Sequence, residues 1–464
     1  MAVEERENVW PPQVAPIDEG ETKRGLHQAV WTLAWPTVLT MLLQTVNGFT
    51  DRFFVGRLGS DALAAAGVGG QLMFLMFSVG MSISVGTTAL VARFVGAKNT
   101  DDAADVANQS VWIGLIASLV CVGLMLPLRH LLVTTMGVDA RAADLCVRYL
   151  TVTLLGIPAL FLMLILGGVY RGLGDTLTPL WVMIVVNIIH LGGDWLLIFG
   201  NWGLPRLGLT GGAVALIISQ VVGAVLYFAF LRRSVVAGMM ARKKTLEWEW
   251  ARRILNIGLP ALGQNLSRVL SLLAFTSVLA RSADATAAVA ALTIGLTAES
   301  IAFMPGFAFA TAAGTLTGQN LGAHNPQRAE RAAWAALQQG LVVMIVMGAV
   351  FYVFATPIAH FFSPDPAVIP LAVAYLRISA FAEPFLAFGM ILTGALNGAG
   401  DTRAPAWAAV ATMWGMRLPL AYFAANVWGY GAHGAWWAMA ASTTLSGLIA
   451  LALFKWGRWK ETRI

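Results

Sequence analysis

Long runs of apolar residues, separated by short polar segments, recur along the whole chain. A helix that crosses the hydrocarbon core of a bilayer needs about 20 mostly apolar residues. The second and eighth runs are long and rich in glycine, which predicts tilting or bending. We therefore predict an all-α polytopic membrane protein with twelve spans at 31–55, 62–92, 106–128, 145–168, 177–200, 207–231, 254–280, 287–318, 330–356, 369–396, 404–426 and 431–456.

The composition excludes an ordinary soluble protein. Of the 464 residues, 58% are hydrophobic and only 12% are charged, whereas soluble proteins carry about 25% charged residues. The two cysteines, Cys121 and Cys146, both lie in apolar stretches, which excludes a disulfide framework. Residues 1–28 are polar and acidic, so we expect no cleavable signal peptide.

The distribution of lysine and arginine predicts which segments face the cytoplasm, because cytoplasmic loops carry an excess of these residues. The segment between the sixth and seventh spans is the most basic one, with Arg232, Arg233, Arg242, Lys243, Lys244, Arg252 and Arg253. We therefore expect both termini in the cytoplasm. We attribute the net charge of +6 to this topology and to contact with anionic lipid, and not to nucleic acid.

The two halves of the chain repeat each other at a constant offset. The pattern Gly-x-Gly-Asp-Thr-x-x-Pro-x-Trp at 172–181 recurs at 398–407, which favours a structural loop over a phosphate-binding one. Each half holds an even number of spans, so the repeat is a parallel pseudo-twofold one, as in transporters that bind substrate between two halves. The predicted organisation is a cytoplasmic N-terminal tail (1–30), a six-helix lobe (31–231), a basic cytoplasmic inter-lobe loop (232–253), a second six-helix lobe (254–456) and a cytoplasmic C-terminal tail (457–464).

Seven short stretches between Trp31 and about Lys455 carry a family resemblance. They are DRFFVGRLG at 51–59, RFVGA at 93–97, YRGLGDT at 170–176, DWLLIFG at 194–200, ESIAFMP at 299–305, GQNLGA at 318–323 and NGAGDT at 397–402. Together they resemble the multidrug and toxic compound extrusion (MATE) transporters, in particular their DinF-like branch. The resemblance implies a two-lobed exporter of cationic or amphipathic compounds in the bacterial cytoplasmic (inner) membrane. It also implies transport driven by inward H⁺ or Na⁺ flow, with no cofactor.

The first predicted span carries polar residues on one face. Gln44, Asn47 and Asp51 follow one another at spacings of a helical turn. A carboxylate at mid-bilayer costs about 2.5 to 3.5 kcal/mol, so Asp51 needs a functional reason. Two alternatives stay open. The amides could be interhelical hydrogen-bond partners, and Asp51 could lie at the outer end of the span, neutralised by Arg52 or Arg57.

The fifth predicted span carries a second polar face, with Asn187, His190 and Asp194. A carboxyl group one turn from an imidazole could hold a proton near neutral pH, although His190 alone could be a satisfied core histidine. The family usually has asparagine where this chain has His190. Asp51 and Asp194 both come late in outward-running spans, so we expect them near each other in the outer half. We predict proton coupling, with sodium as the alternative, at Asp51, Asp194, His190, Asn187 and Asn47.

The second half has apolar residues at the positions equivalent to Asp51 and Asp194, and carries other charges near mid-span. We predict a substrate cavity formed by Gln44, Glu299, Arg268 and Arg417. Arg268 replaces a carboxylate found in some branches of the family, which puts a sodium site in this half in doubt. Both arginines could instead pair with Glu299 or Glu383. We expect Arg377 and Glu383 nearer the outer end, where water would solvate them.

These features favour a secondary active antiporter that rocks two lobes about a hinge near Pro36. The chain has no Walker loop and no metal-ligand spacing, so we expect neither ATP hydrolysis nor a metal site. The expected partners are small-molecule substrates and membrane lipid, with no nucleic acid, and the expected state is a monomer. The alternatives are a flippase for lipid-linked oligosaccharides or other lipids, a membrane-embedded enzyme, and a channel.

Overall fold

Every regular element in the described part of the chain is a helix. The computed structural model describes residues 23–464 except 138, 243, 244, 283, 284 and 463. The first half contains α1 (Lys23–Gly56), α2 (Ser60–Gly96), α3 (Thr100–Thr135), α4 (Ala140–Leu155), α5 (Ile157–Leu173), α6 (Leu177–Phe199) and α7 (Leu209–Leu231). Short 3₁₀ helices lie at Asn201–Gly203 and Ala237–Ala241.

The second half begins with α8 (Trp248–Leu279), α9 (Ala285–Gly322), α10 (Pro326–Val353) and α11 (Ala355–Phe362). Two further segments alternate between α-helix and the wider π-helix, and these wide turns are frequent at functional sites. The first comprises α12 (Val368–Ala387), a π turn (Phe388–Leu392) and α13 (Thr393–Gly398). The second comprises α14 (Arg403–Val410), a π segment (Ala411–Arg417), α15 (Leu418–Tyr422) and a π turn (Phe423–Val427). Helix α16 (Gly431–Trp456) and a 3₁₀ turn (Trp459–Glu461) follow.

The helix lengths match the predicted spans. Among the described residues, nine helices are long and apolar enough to cross a membrane, and α4 with α5 forms a further candidate bent by 50°. The bend lies at Gly156, and Pro158 follows in the first turn of α5, where a missing amide proton costs nothing. Helix α8 and the segment 403–427 take the places of the seventh and eleventh spans. The prediction of an all-α polytopic fold with twelve spans is confirmed.

The described residues form two compact units. The first contains Pro36–Gly258, and the second contains Leu259–Ile464 together with the start of α1 up to Trp35. In the first unit α2 packs along α5 and α6 along α7, and in the second α9 packs along α10 and α12 along α16. The chain passes from one unit to the other inside α1 and inside α8, next to the helix prolines Pro36 and Pro260.

The segment predicted as a basic inter-lobe loop packs against the first unit. The side chain of Gln109 on α3 donates to the carbonyl oxygen of Thr245 at 2.9 Å, and Arg242 pairs with Asp105 at 3.2 Å. The basic loop therefore packs on the acidic start of α3. Residues 1–22 of the predicted tail, and Lys243 and Lys244 of the loop, lie outside the described residues.

The repeated Gly-x-Gly-Asp-Thr motif is a helix-to-helix turn in both units. Gly174 and Gly400 have φ values of 83° and 87°, a left-handed conformation that favours glycine at a helix end. In the first copy, the carboxylate of Asp175 accepts hydrogen bonds from the amides of Leu177 at 3.0 Å and Thr178 at 2.9 Å, which caps α6. The motif therefore ends one helix and starts the next.

The first glycine of the second copy lets two helices touch. A methyl group at Gly398 would overlap the backbone of Gly314 on α9. We expect Gly398→Ala to destabilise the protein by about 1–3 kcal/mol, because backbone cannot move aside as a side chain can. Gly415→Ala is the matched control, since no atom outside its own helix lies within 4 Å of the added methyl. Thermal unfolding in detergent measures both, and equal melting temperatures would contradict the expectation.

Candidate functional site

Two helices of the first unit bring four of the predicted coupling residues together. Helix α1 supplies Asn47 and Asp51, and α6 supplies His190 and Asp194, one turn apart on each helix. The Nδ1 atom of His190 lies 2.9 Å from the Asn47 Oδ1 atom and 3.8 Å from the Asp51 Oδ1 atom. Its Nε2 atom lies 3.6 Å from the Asp194 Oδ1 atom. When Nδ1 of the neutral ring carries the proton and donates to the Asn47 Oδ1 atom, Nε2 carries none. Its lone pair then faces the Asp194 Oδ1 atom.

The cluster is buried on one side and open on the other. His190 and Asp194 are 2% and 1% exposed, whereas 40% of the Asp51 side chain is exposed. Within the described part of the chain, no hydrogen-bond donor reaches the buried Oδ1 atoms of Asp51 and Asp194. Burying a carboxylate oxygen without a donor is costly. A proton or a small cation would remove that cost.

The three ionisable groups are close enough to share one such ion. One ligand atom from each of Asp51, His190 and Asp194 lies within 4.8 Å of the others. The two carboxyl groups also interact with each other directly. This spacing suits a proton shared between the groups, and it also leaves room for a single metal ion such as sodium.

The cluster opens into a cavity of about 660 Å³ inside the first unit. Asp51, His190 and Asp194 line it together with Arg52 and Tyr149. Sequence reasoning missed Tyr149, whose ring packs over Gly69 of α2. The internal repeat was a signal for it, because Tyr149 recurs as Tyr375 in the second half.

Two predicted residues lie apart from this arrangement. Asn187 is buried, but its side chain donates to the carbonyl oxygen of Met183 on its own helix at 2.8 Å. Gln44 is on an exposed side of α1 and lines neither this cavity nor that of the second unit, described next. The alternative that Arg57 neutralises Asp51 is not supported, since its guanidinium lies over the ring of Phe53, 4.4 Å from the centroid.

The second unit holds a cavity of about 330 Å³. It is lined by three of the four residues predicted for the substrate cavity, Arg268, Glu299 and Arg417, and also by Glu383. The expectation that water solvates Glu383 at the outer end is wrong. Its side chain is 2% exposed, because α12 turns it inward, and its Oε2 atom has no hydrogen-bond partner among the described residues.

Neutral groups hold these charges in place. The guanidinium of Arg417 donates to the hydroxyl of Ser442 at 2.8 Å and to that of Thr443 at 3.2 Å. The Arg268 guanidinium lies 5.6 Å from the centroid of the Phe303 ring, within cation–π range. None of the ion pairs found in the described residues joins an arginine of this cavity to Glu299 or Glu383. The direct pairing considered as an alternative is therefore not observed.

Comparison with known proteins identifies the family of this chain. The MatE family model matches residues 36–196 and 260–423, one stretch in each half of the chain. The chain belongs to the MatE family. This family consists of transporters and not of enzymes, so the chain is a multi-pass membrane transporter. Its assignment to the DinF-like branch stays a prediction.

Relatives align over most of their length. A protein of Thermotoga maritima named probable multidrug resistance protein NorM is 28% identical over 440 residues, covering 93% of each chain. The multidrug resistance protein PmpM of Pseudomonas aeruginosa is 28% identical over 416 residues, covering 88% of this chain and 86% of its own.

Solved structures share the fold of this MatE protein. An outward-facing multidrug resistance MATE family transporter superposes with a TM-score of 0.86 at 24% identity, over 94% of this chain and 97% of its own. A transporter of the MOP superfamily from Pyrococcus furiosus gives the same TM-score and identity over 93% and 95%. The binding pocket of that transporter is described as having reverse polarity.

The hydrogen bond between Asn47 and His190 connects α1 to α6. We expect Asn47→Leu to cost about 1–3 kcal/mol of stability, because it leaves a buried ring nitrogen without its partner. Gln44→Leu is the matched control, since it makes the same change one turn earlier on the exposed side of α1. Thermal unfolding in detergent compares the two variants. A loss of stability in Gln44→Leu as large as that in Asn47→Leu would contradict the assigned role.

Proposed function

We propose that this MatE protein is a secondary active multidrug efflux antiporter. It exports cationic or amphipathic compounds in exchange for inward protons. The observation that carries the proposal is the cluster of Asp51, His190 and Asp194, in which buried carboxylate oxygens without donors face an imidazole. The names of the NorM and PmpM relatives support drug export as the activity that this cluster drives.

The proton enters from the outer side in this scheme. With both termini in the cytoplasm of a bacterium, α1 and α6 run outward, and Asp51 and Asp194 lie in their outer halves. The exposed Asp51 receives the proton and the buried His190–Asp194 pair retains it. Neutralising a carboxylate removes a charge from the first unit, which changes how α1 packs. Coupling then requires only that protonation favours one state of the protein and drug binding favours another.

The proposed hinge lies near Pro36. A proline inside a helix removes a hydrogen bond and bends the helix there. The boundary between the two compact units falls at Trp35 and Pro36 in α1, and again two residues before Pro260 in α8. Bending at these positions would let each unit move as a rigid body. In the proposed transport cycle, the two units are the two six-helix lobes.

The cluster favours protons over sodium as the coupling ion. Sodium is a hard cation that binds oxygen ligands, whereas an imidazole nitrogen binds protons and softer metals. His190 lies at the centre of the cluster, between the Asn47 amide and both carboxyl groups. A sodium ion there would lose one oxygen ligand, while a proton would gain an imidazole nitrogen as a base.

A lipid flippase is the second candidate. The observation in its favour is the pair of arginines, Arg268 and Arg417, in the cavity of the second unit, because guanidinium groups bind anionic headgroups well. The cluster in the first unit favours the ion-coupled exporter, which we propose to act as a monomer with H⁺ as the transported ion and no cofactor.

The coupling role is tested in proteoliposomes that carry a pH-sensitive dye. We expect Asp51→Asn and Asp194→Asn to abolish proton movement driven by a cationic dye such as ethidium, in the presence or absence of sodium. Asp144→Asn is the control, because it removes an exposed carboxylate of α4 in the same unit. Full proton movement in Asp51→Asn would refute the role of Asp51, and a strict need for sodium would refute proton coupling.

The hinge is tested by Pro36→Ala. We expect this variant to bind ethidium with unchanged affinity but to transport it several-fold more slowly, because a straightened α1 disfavours one of the two states. Pro127→Ala removes a proline from the interior of α3, away from the boundary between units, and should keep the wild-type rate. Equal transport rates in the two variants would exclude Pro36 as the hinge.

A further inference from the structure

The cluster of the first unit has the donor atoms and the spacing of a transition-metal site. One ligand atom from each of Asp51, His190 and Asp194 lies within 4.8 Å of the others, and the Nε2 atom of His190 lies 3.6 Å from the Asp194 Oδ1 atom. Two ligands of one tetrahedral zinc ion lie about 3.4 Å apart, because zinc bonds to nitrogen and oxygen are about 2.1 Å long. The pair on α6 therefore has nearly the required spacing, and Asp51, whose side chain is 40% exposed, has room to rotate towards it.

The surroundings prepare these ligands for a metal ion. A histidine that binds a metal almost always donates its other ring N–H to a carbonyl or carboxylate oxygen. The Asn47 Oδ1 atom is in that position, 2.9 Å from Nδ1 of His190. Asp194 is 1% exposed, and within the described part of the chain its Oδ1 atom has no hydrogen-bond donor. A metal ion would supply the positive partner that this buried oxygen lacks.

The imidazole distinguishes this donor set from that of a sodium site. His190 stands where the MATE family usually has asparagine, whose amide oxygen suits a hard cation. An imidazole nitrogen with carboxylate oxygens suits Zn²⁺ and similar divalent ions. Spacing along the chain shows only the two ligands on α6, and the third comes from α1. For this reason the sequence alone predicts no metal site.

We propose that His190, Asp194 and Asp51 bind one divalent transition-metal ion such as Zn²⁺, and that the bound ion blocks proton uptake. The two carboxylates balance the charge of the ion, and water in the cavity of about 660 Å³ would complete its tetrahedral shell. Arg52 also lines this cavity, but it is exposed, so water and salt screen its repulsion. The inference rests on the proposed proton coupling, because a metal ion and a proton use the same lone pairs. The ion acts as an inhibitor and not as a cofactor.

The site is tested by Zn²⁺ binding to the whole chain, purified in detergent without a histidine tag. Isothermal titration calorimetry gives the number of ions bound, and X-ray absorption at the zinc edge gives their ligands. We expect one Zn²⁺ per chain, bound by one imidazole nitrogen and otherwise by oxygen. His190→Asn should weaken binding by at least about tenfold, since losing even a residue that only supports a metal ligand costs that much. His130→Asn is the matched control, because it makes the same change at an exposed histidine of α3, and its affinity should equal that of the wild type.

The block is tested in the proteoliposomes used for ethidium-driven proton movement. A Zn²⁺ concentration of ten times the measured dissociation constant leaves about one site in eleven free, so we expect the rate to fall about tenfold. Addition of a chelator should restore the rate. Mg²⁺ at the same concentration should have no effect, because it requires a nearly octahedral shell of oxygen ligands.

The outcomes separate the metal site from the proposed function. Equal affinity in the wild type and His190→Asn, or a zinc ion bound by sulfur or by several imidazoles, would overturn the site. The ligands found in the wild type decide this even if a variant does not fold. Zinc bound as expected without a loss of proton movement would overturn the block. A wild type that moves no protons in the absence of metal would refute the proposed function, while the binding measurement would still decide the site.

Discussion

The cost of placing a charge inside a membrane constrains everything else in this protein. An ionisable side chain at mid-bilayer costs several kcal/mol, and so does a buried polar atom without a partner. Along the spans, hydroxyl groups meet this constraint locally, as when Thr40 donates to the carbonyl oxygen of Pro36 one turn earlier. At the two cavities some buried oxygen atoms have no such partner among the described residues. Buried carboxylate oxygens of Asp51, Asp194 and Glu383 find no donor among the described residues. A transporter needs such unpaired atoms, because an ion or a substrate must be able to bind to them and then leave.

The same scaffold occurs twice but carries two kinds of chemistry. The Gly-x-Gly-Asp-Thr turn recurs in both units, with a left-handed glycine at each helix end. Tyr149 lines the cavity of the first unit, and its counterpart Tyr375 interacts with Glu299 beside the cavity of the second. The ionisable groups do not repeat. The first unit has carboxyl groups around one imidazole, which suits proton binding, and the second has two arginines with two glutamates, which suits a charged organic compound.

Apolar run lengths predicted the spans, the internal repeat predicted the two halves, and seven short motifs carried the family resemblance. All three can be read directly along the sequence. The cluster of Asp51, His190 and Asp194 was also predictable, since helical spacing places each polar group on one face and topology places both faces at the same depth. Helical spacing could not show how far each helix is rotated. For that reason Glu383 was predicted to be solvated and is buried. The π turns of the second unit, which change the rotation of a helix by inserting a residue, leave no clear mark in the sequence.

We propose that the carboxyl groups of the first unit release protons to the solvent when a drug binds. Isothermal titration calorimetry tests this directly when ethidium binds the detergent-solubilised protein in buffers of different ionisation enthalpy. We predict that the wild type releases protons as ethidium binds, and that the Asp51→Asn/Asp194→Asn double variant releases none while staying folded. Ethidium binding to the wild type without proton release, or with the same release in the double variant, would contradict the account.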